Sequence, residues 1–346
     1  MPARLSAVLA LAGAAACATP APEPAAPPTP ASPTSAPTSA PTPAPAAPAP
    51  PAPPAPRAPA PPQVTLDEAR AILPDAPRDC ADIECLIERA YARDAKARDT
   101  ALALFRASGH VAGVGPEETM DGGYRGQIRL VPELPIGRYR PHLTWTADSL
   151  RSIDAWFDAL FGKLDDGQPA PAPAPAYRWR ALQLRFVRSV GKRTPSAYAM
   201  GWLVEYNVEG SLLTSFEGVR ETLFHEIFHS NDGAHGGWSA RTLRKDYDAI
   251  LARCGPKLSN RCLAPYAPNN TMVRGGLYYA FQQNNGDPIH EYAAELAVRY
   301  WKEQSEMLAA RRLSRRAFKC GPAENARAWK ALVDEFFGGR DLTPAC

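Results

Sequence analysis

The chain has 346 residues, 45% of them hydrophobic and 22% charged, and 39 basic against 36 acidic residues leave a formal net charge of +3. So even a balance gives no strong field and argues against nucleic acid, which usually needs a basic stripe, as the main partner. The body of the chain contains no run of 18 uncharged apolar residues, which excludes a membrane-spanning helix there.

In chain order, Arg4 is followed by an apolar run from Leu5 to Ala16 that ends in Ala-Ala-Ala-Cys17. A short basic region, an apolar stretch and small residues make the pattern of an export signal. Residues 1–17 resemble a bacterial lipoprotein signal, although Ala14 stands where such signals carry a larger aliphatic residue. The resemblance implies lipidation of Cys17 and contact with a membrane only through that N-terminal anchor. It also implies an outer-membrane lipoprotein of a Gram-negative bacterium, or a periplasmic or secreted protein if the signal is simply cleaved. Residues 18–63 hold twenty prolines, two charged residues and no glycine. That composition cannot bury a core, so we expect a disordered Ala/Pro-rich linker, extended as polyproline. Residues 64–346 are long enough for one large domain with a hydrophobic core.

Apolar spacing predicts helix within 80–107 and over 147–164, where Leu150, Ile153, Trp156, Phe157, Leu160 and Phe161 share a face. Strands are expected at 122–131 and 178–188, and a hairpin from 197–206 and 211–216 around Glu209-Gly210. The Pro/Ala tract at 169–176 is expected to be a loop insertion. Four further helices are predicted at 217–231, 239–253, 289–310 and 323–337. The order is helices, a small sheet, then helices, an α+β class.

Six cysteines remain after Cys17, in three local couples: Cys80–Cys85, Cys254–Cys262 and Cys320–Cys346. With no Cys-x-x-Cys spacing for a metal, we expect these as disulfides in an oxidising compartment.

The run Val219–Asp232, VRETLFHEIFHSND, contains His225-Glu226-x-x-His229 on the expected helix. Residues four apart lie one turn apart on one face, so both imidazoles can converge on a metal. Glu226 is placed to act on a water at that metal. This is the HExxH signature of zinc peptidases. A catalytic zinc wants a third protein ligand and an open position. Glu291 and Glu295, in DPIHEYAAELAVRYW, are four apart on a second helix. The combination resembles the gluzincins, HExxH peptidases whose third ligand is a glutamate on a second helix. The resemblance implies a zincin-like fold: a small mixed sheet, the HExxH helix, then a mostly helical C-terminal part. It implies Zn²⁺ on His225, His229 and Glu291, Glu226 as general base, and Glu295 supporting a ligand imidazole. His235 is the alternative third ligand, because HEIFHSNDGAH is similar to the metzincin pattern with Asp232 where glycine is expected. Tyr278 and Tyr279 are candidates to donate to the oxyanion, or else pack in the core. The function expected is peptide-bond hydrolysis on protein or peptide substrates. A peptidoglycan amidase or endopeptidase, and a non-catalytic surface lipoprotein that binds without cleaving, are the alternatives.

Overall fold

The computed structural model describes residues 64–73, 79–121, 126–162, 176–177, 181–273, 276–282 and 287–346. The signal with Cys17, the linker at 18–63 and residues 169–175 of the Pro/Ala tract lie outside the described residues.

Helix α1 (Leu66–Ile72) starts from a capping box, with Thr65 accepting from the Glu68 N–H and Glu68 answering on the Thr65 N–H. The stretch at 80–107 is two helices rather than one: α2 (Ile83–Ala90) and α3 (Ala95–Ser108). Each begins at an aspartate whose carboxylate accepts a backbone N–H, Asp82 and Asp94. The second cap is what breaks the run, because Asp94 also takes the Gly137 N–H and pairs with Arg140 at 2.9 Å. Helix α3 stops at Gly109, whose φ of 73° closes the turn into β1 (Val111–Val114). Gly113 on β1 is needed for close approach, since a Cβ there would lie 2.1 Å from the Ile72 carbonyl oxygen.

Strands β2 (Glu118–Asp121) and β3 (Gln127–Pro132) form an antiparallel pair. Helix α4 runs from Arg140 to Phe161, two turns longer at its start than the spacing predicts, and is entered through Pro141 in its first turn. Its Leu150, Ile153, Trp156, Leu160 and Phe161 are buried as expected. Then follow β4 (Gln183–Ser189), β5 (Ala197–Met200) and β6 (Leu203–Asn207). Strands β1 and β6 flank β4 in parallel; β3 shares an edge of β4 with β1 but runs antiparallel. β5 runs antiparallel to β6 and ends the sheet.

The expected hairpin lies elsewhere. Its turn is Gly201-Trp202, joining β5 to β6, with Met200 opposite Leu203. Residues 211–216 form no strand. Gly201, at φ 59°, accepts the left-handed backbone that a two-residue turn requires. Asn207 ends β6 by turning its amide onto Ser189 and Pro195.

The inner sheet face carries Leu184, Phe186, Val204 and Tyr206 against helices α4 and α5 (Phe216–Ala234). The outer face holds a smaller cluster of Ile128, Leu130 and Val187. After α5 the chain is helical: α6 (Trp238–Thr242), α7 (Arg244–Cys254), α8 (Asn260–Leu263), α9 (Pro288–Ala310) and α10 (Ala323–Phe336). The architecture is α+β, a curled mixed sheet followed by a helical C-terminal part. Helices α1–α3 belong to the same core as α5 and α9. All three expected disulfides are present, with Cα–Cα separations of 5.5, 5.6 and 5.4 Å in chain order. Among the described residues no helix is long and apolar enough to cross a membrane.

His110 lies between α3 and β1 with its Nδ1 accepting the Leu182 N–H at 2.8 Å. Burial holds its pKa down to about 4. The imidazole is therefore neutral in the fold, and its contribution is complete above about pH 6.5 and is lost as pH falls toward 4. We expect on the order of 3 kcal/mol of stability to vanish across that window from this group. Urea unfolding of the parent and of His110→Asn at pH 7 and pH 4.5 checks it. Asparagine keeps an acceptor without the titration, so its pH dependence should be shallower.

Candidate metal centre

Helix α5 starts at Ser215, whose hydroxyl accepts the Gly218 N–H. Leu223, Phe224, Ile227 and Phe228 are fully buried and fix the helix in the core. That leaves His225 and His229 on a common face, with their Nε2 atoms 3.1 Å apart. Helix α9 starts at Asp287, with Pro288 in its first position, and packs against α5. Glu291, in its first turn, brings Oε2 to 3.0 Å from His225 Nε2 and 3.5 Å from His229 Nε2. Three donor atoms at 2.0–2.1 Å from one tetrahedral ion would stand about 3.3–3.4 Å apart. The observed triangle of 3.0, 3.1 and 3.5 Å is that size, and His225, His229 and Glu291 could hold a metal ion.

The residues around the triangle fix its ligands. His225 turns its Nδ1 toward Glu295 Oε1 at 3.5 Å. Glu295 is buried and is itself held, its Oε2 accepting from the Thr271 hydroxyl at 3.0 Å and its carbonyl from the Asn269 amide at 2.7 Å. A carboxylate on Nδ1 fixes the tautomer and frees Nε2 for a metal. Glu226 is buried beside the ligands and accepts the backbone N–H of Ala199 on β5. Ladder alternation turns the N–H and C=O of Ala197 and Ala199 away from β6, toward the free edge of the sheet. Glu226 therefore sits directly under that edge.

The carboxylates and imidazoles of the cluster shift one another. Burial disfavours a charged His225, yet the Glu291 and Glu295 carboxylates outweigh it and raise its pKa well above the ordinary value. Burial likewise pushes Glu291 up, but the two imidazoles prevail and hold it well below the usual carboxylate range. Glu226 is raised, chiefly by burial, against the pull of both imidazoles. The Glu226, Glu291 and Glu295 carboxyl groups close around His225 make a setting that suits a cation, and a divalent ion could take that place.

The two tyrosines separate. Tyr279 shares a hydrogen bond with Glu291, and its ring centroid is 5.8 Å from that of His225. Burial, then the neighbouring carboxylates, raise its pKa, so its phenol stays protonated and can donate. Tyr278 packs against the core instead and pairs by backbone with Met272. His235 does not join the triangle: it caps the end of α5, with Nδ1 2.6 Å from Glu335 Oε1 and its ring against Phe336. Glu221 pairs with Lys302 at 2.6 Å, and His142 meets the Tyr206 hydroxyl at 2.9 Å. Comparison with known protein families, with characterised proteins and with solved structures finds no match to this chain.

Sequence reasoning brings together His225, Glu226, His229, Glu291, Glu295 and Tyr279. It misses Ala199, Asn269 and Thr271. Ala199 acts through its backbone, which has no side-chain signature. Thr271 lies beside Met272 in a stretch without periodicity, where a hydroxyl reads as turn chemistry.

Proposed function

We propose that the protein is a zinc metallopeptidase of the zincin kind, with the gluzincin ligand set His225, His229 and Glu291. The observation that carries this reading is the donor triangle of 3.0–3.5 Å with Glu226 buried beside it. The donor chemistry fits zinc: two imidazole nitrogens and one carboxylate oxygen, with a carboxylate behind one imidazole. The sheet adds support, since an antiparallel edge strand beside parallel β6 and β4 runs over the general-base residue.

A zinc ion held by His225, His229 and Glu291 would supply Lewis acidity toward the scissile carbonyl and the attacking water. Glu226, held in place by the Ala199 N–H, receives a proton from that water and delivers it to the departing amine nitrogen. Burial raises its pKa, which suits a group that must first accept and then give up a proton. Tyr279 donates its phenol hydrogen to the oxygen that gains charge. The N–H and C=O of Ala197 and the C=O of Ala199, which face away from β6, hold an extended peptide by strand addition. Export and a lipid anchor, as expected from residues 1–17, would place this activity on proteins or peptides outside the cytoplasm.

The test is zinc content and turnover of the purified protein with its disulfides intact. One zinc per chain is expected, with cleavage of unfolded casein that a chelator abolishes and zinc restores. Turnover of purified peptidoglycan without casein would move the reading to a cell-wall amidase. A parent that takes up no zinc would end it.

A further inference from the structure

One part-buried side-chain cluster beside the metal centre is used by none of the roles above. Asp232 sits on α5, one turn beyond His229, and is 2% exposed. Its Oδ1 accepts the Ser239 N–H at 2.7 Å, and its Oδ2 accepts the Ser239 hydroxyl at 2.6 Å. The same Oδ2 lies 2.8 Å from Nδ1 of His290, which also stands 2.8 Å from the Ser239 oxygen. Facing a carboxylate, Nδ1 carries the hydrogen and donates it. This is not a nucleophile triad, because the serine and the aspartate meet the same imidazole nitrogen.

The cluster's place in the chain gives it a purpose. Asp232 follows His229 by three residues on one helix, and His290 immediately precedes Glu291 on the other. One part-buried, charge-assisted bond therefore ties the helix bearing two nitrogen donors to the first turn of the helix bearing the oxygen donor. A second tie, the Arg244–Asp287 ion pair, fixes the same turn from α7 at the protein surface. Without the inner tie the start of α9 is free to rotate or slide, and a displacement of under 1 Å spoils a set of bonds 2.0–2.1 Å long.

We propose that Asp232, acting through His290, is a positioning residue that sets Glu291 against His225 and His229 and so determines zinc affinity. This rests on the zinc-site reading above. Ser239 braces the aspartate but is not itself the link to α9.

The test uses the full chain in parent form and as Asp232→Ala, His290→Ala, His290→Asn and Ser239→Ala. Zinc affinity is measured by competition with a chromophoric chelator, and ligand geometry by the visible spectrum of the cobalt-substituted protein. Asp232→Ala and His290→Ala should weaken zinc binding about 10–100-fold and alter the cobalt spectrum. His290→Asn, whose amide nitrogen stands near the Nδ1 position, should recover most of that loss. Ser239→Ala should lower the melting temperature yet bind zinc within about threefold of the parent. Parent-like zinc affinity in both alanine variants, or an equal loss in Ser239→Ala, overturns the proposal; if Asp232→Ala does not fold, the two His290 variants decide it. A parent without zinc instead overturns the metallopeptidase reading and this inference with it.

Discussion

Glu226→Gln should leave the zinc in place and lower peptide hydrolysis about 10²–10⁴-fold, almost entirely in kcat. Glutamine has the same shape and keeps an oxygen for the Ala199 N–H, so the buried pocket under β5 stays filled. What it loses is the capacity to hold a proton between attack and departure. On the proposed reading the substrate strand pairs with the N–H and C=O of Ala197 and the C=O of Ala199 rather than with this side chain, so KM should change little. The measurement is steady-state cleavage of a fluorogenic peptide beside the zinc stoichiometry of the same preparation. Cleavage within threefold of the parent would show that Glu226 is not the base, whatever the metal content.

Glu291→Ala should abolish stoichiometric zinc, whereas His235→Ala should retain it. The carboxylate of Glu291 is the only oxygen of the triangle and the counter-charge that most strongly raises the His225 pKa. Removing it leaves two imidazoles, which is one donor short of a catalytic zinc site. His235 is engaged with Glu335 at the far end of α5, a partly exposed pair that contributes about 0–1 kcal/mol. Zinc content after dialysis distinguishes the two. Retention in Glu291→Ala with loss in His235→Ala would reverse the assignment and bring the metzincin-like reading back.

The HExxH helix was legible because two signals coincide there. An apolar pattern of helical period pins the backbone, and a motif with a mechanism occupies its remaining face. Glu291 and Glu295 were legible as a pair on one helix, but only folding shows that their helix crosses α5, since 62 positions separate His229 from Glu291. The competing reading through His235 is local, and it fails for a local reason: the helix runs on to Ala234 and carries His235 past the ligand face. The hairpin was misplaced because Glu209-Gly210 and Gly201-Trp202 both read as turns. The difference lies in Asn207, whose amide ends β6 by binding two other segments, a tertiary event without sequence period. The tie from Asp232 to His290 has the same character. Aspartate at a helix end reads as a stop signal, and its partner lies on another helix.

The disulfides close loops of 5, 8 and 26 residues, and none of their cysteines belongs to the metal triangle. None joins α5 to α9. The chain between His229 and Glu291 is therefore a long excursion closed by no covalent bond, with the Cys254–Cys262 loop wholly inside it. On the proposed reading the metal ion would itself be a crosslink between the two helices, and unlike the sulfur bridges it is not broken by reduction. A phosphine reductant, which has no thiol to bind zinc, would open the sulfur bridges and spare the centre. A chelator would do the reverse, opening a loop longer than any that the sulfur bridges close while those bridges stayed shut.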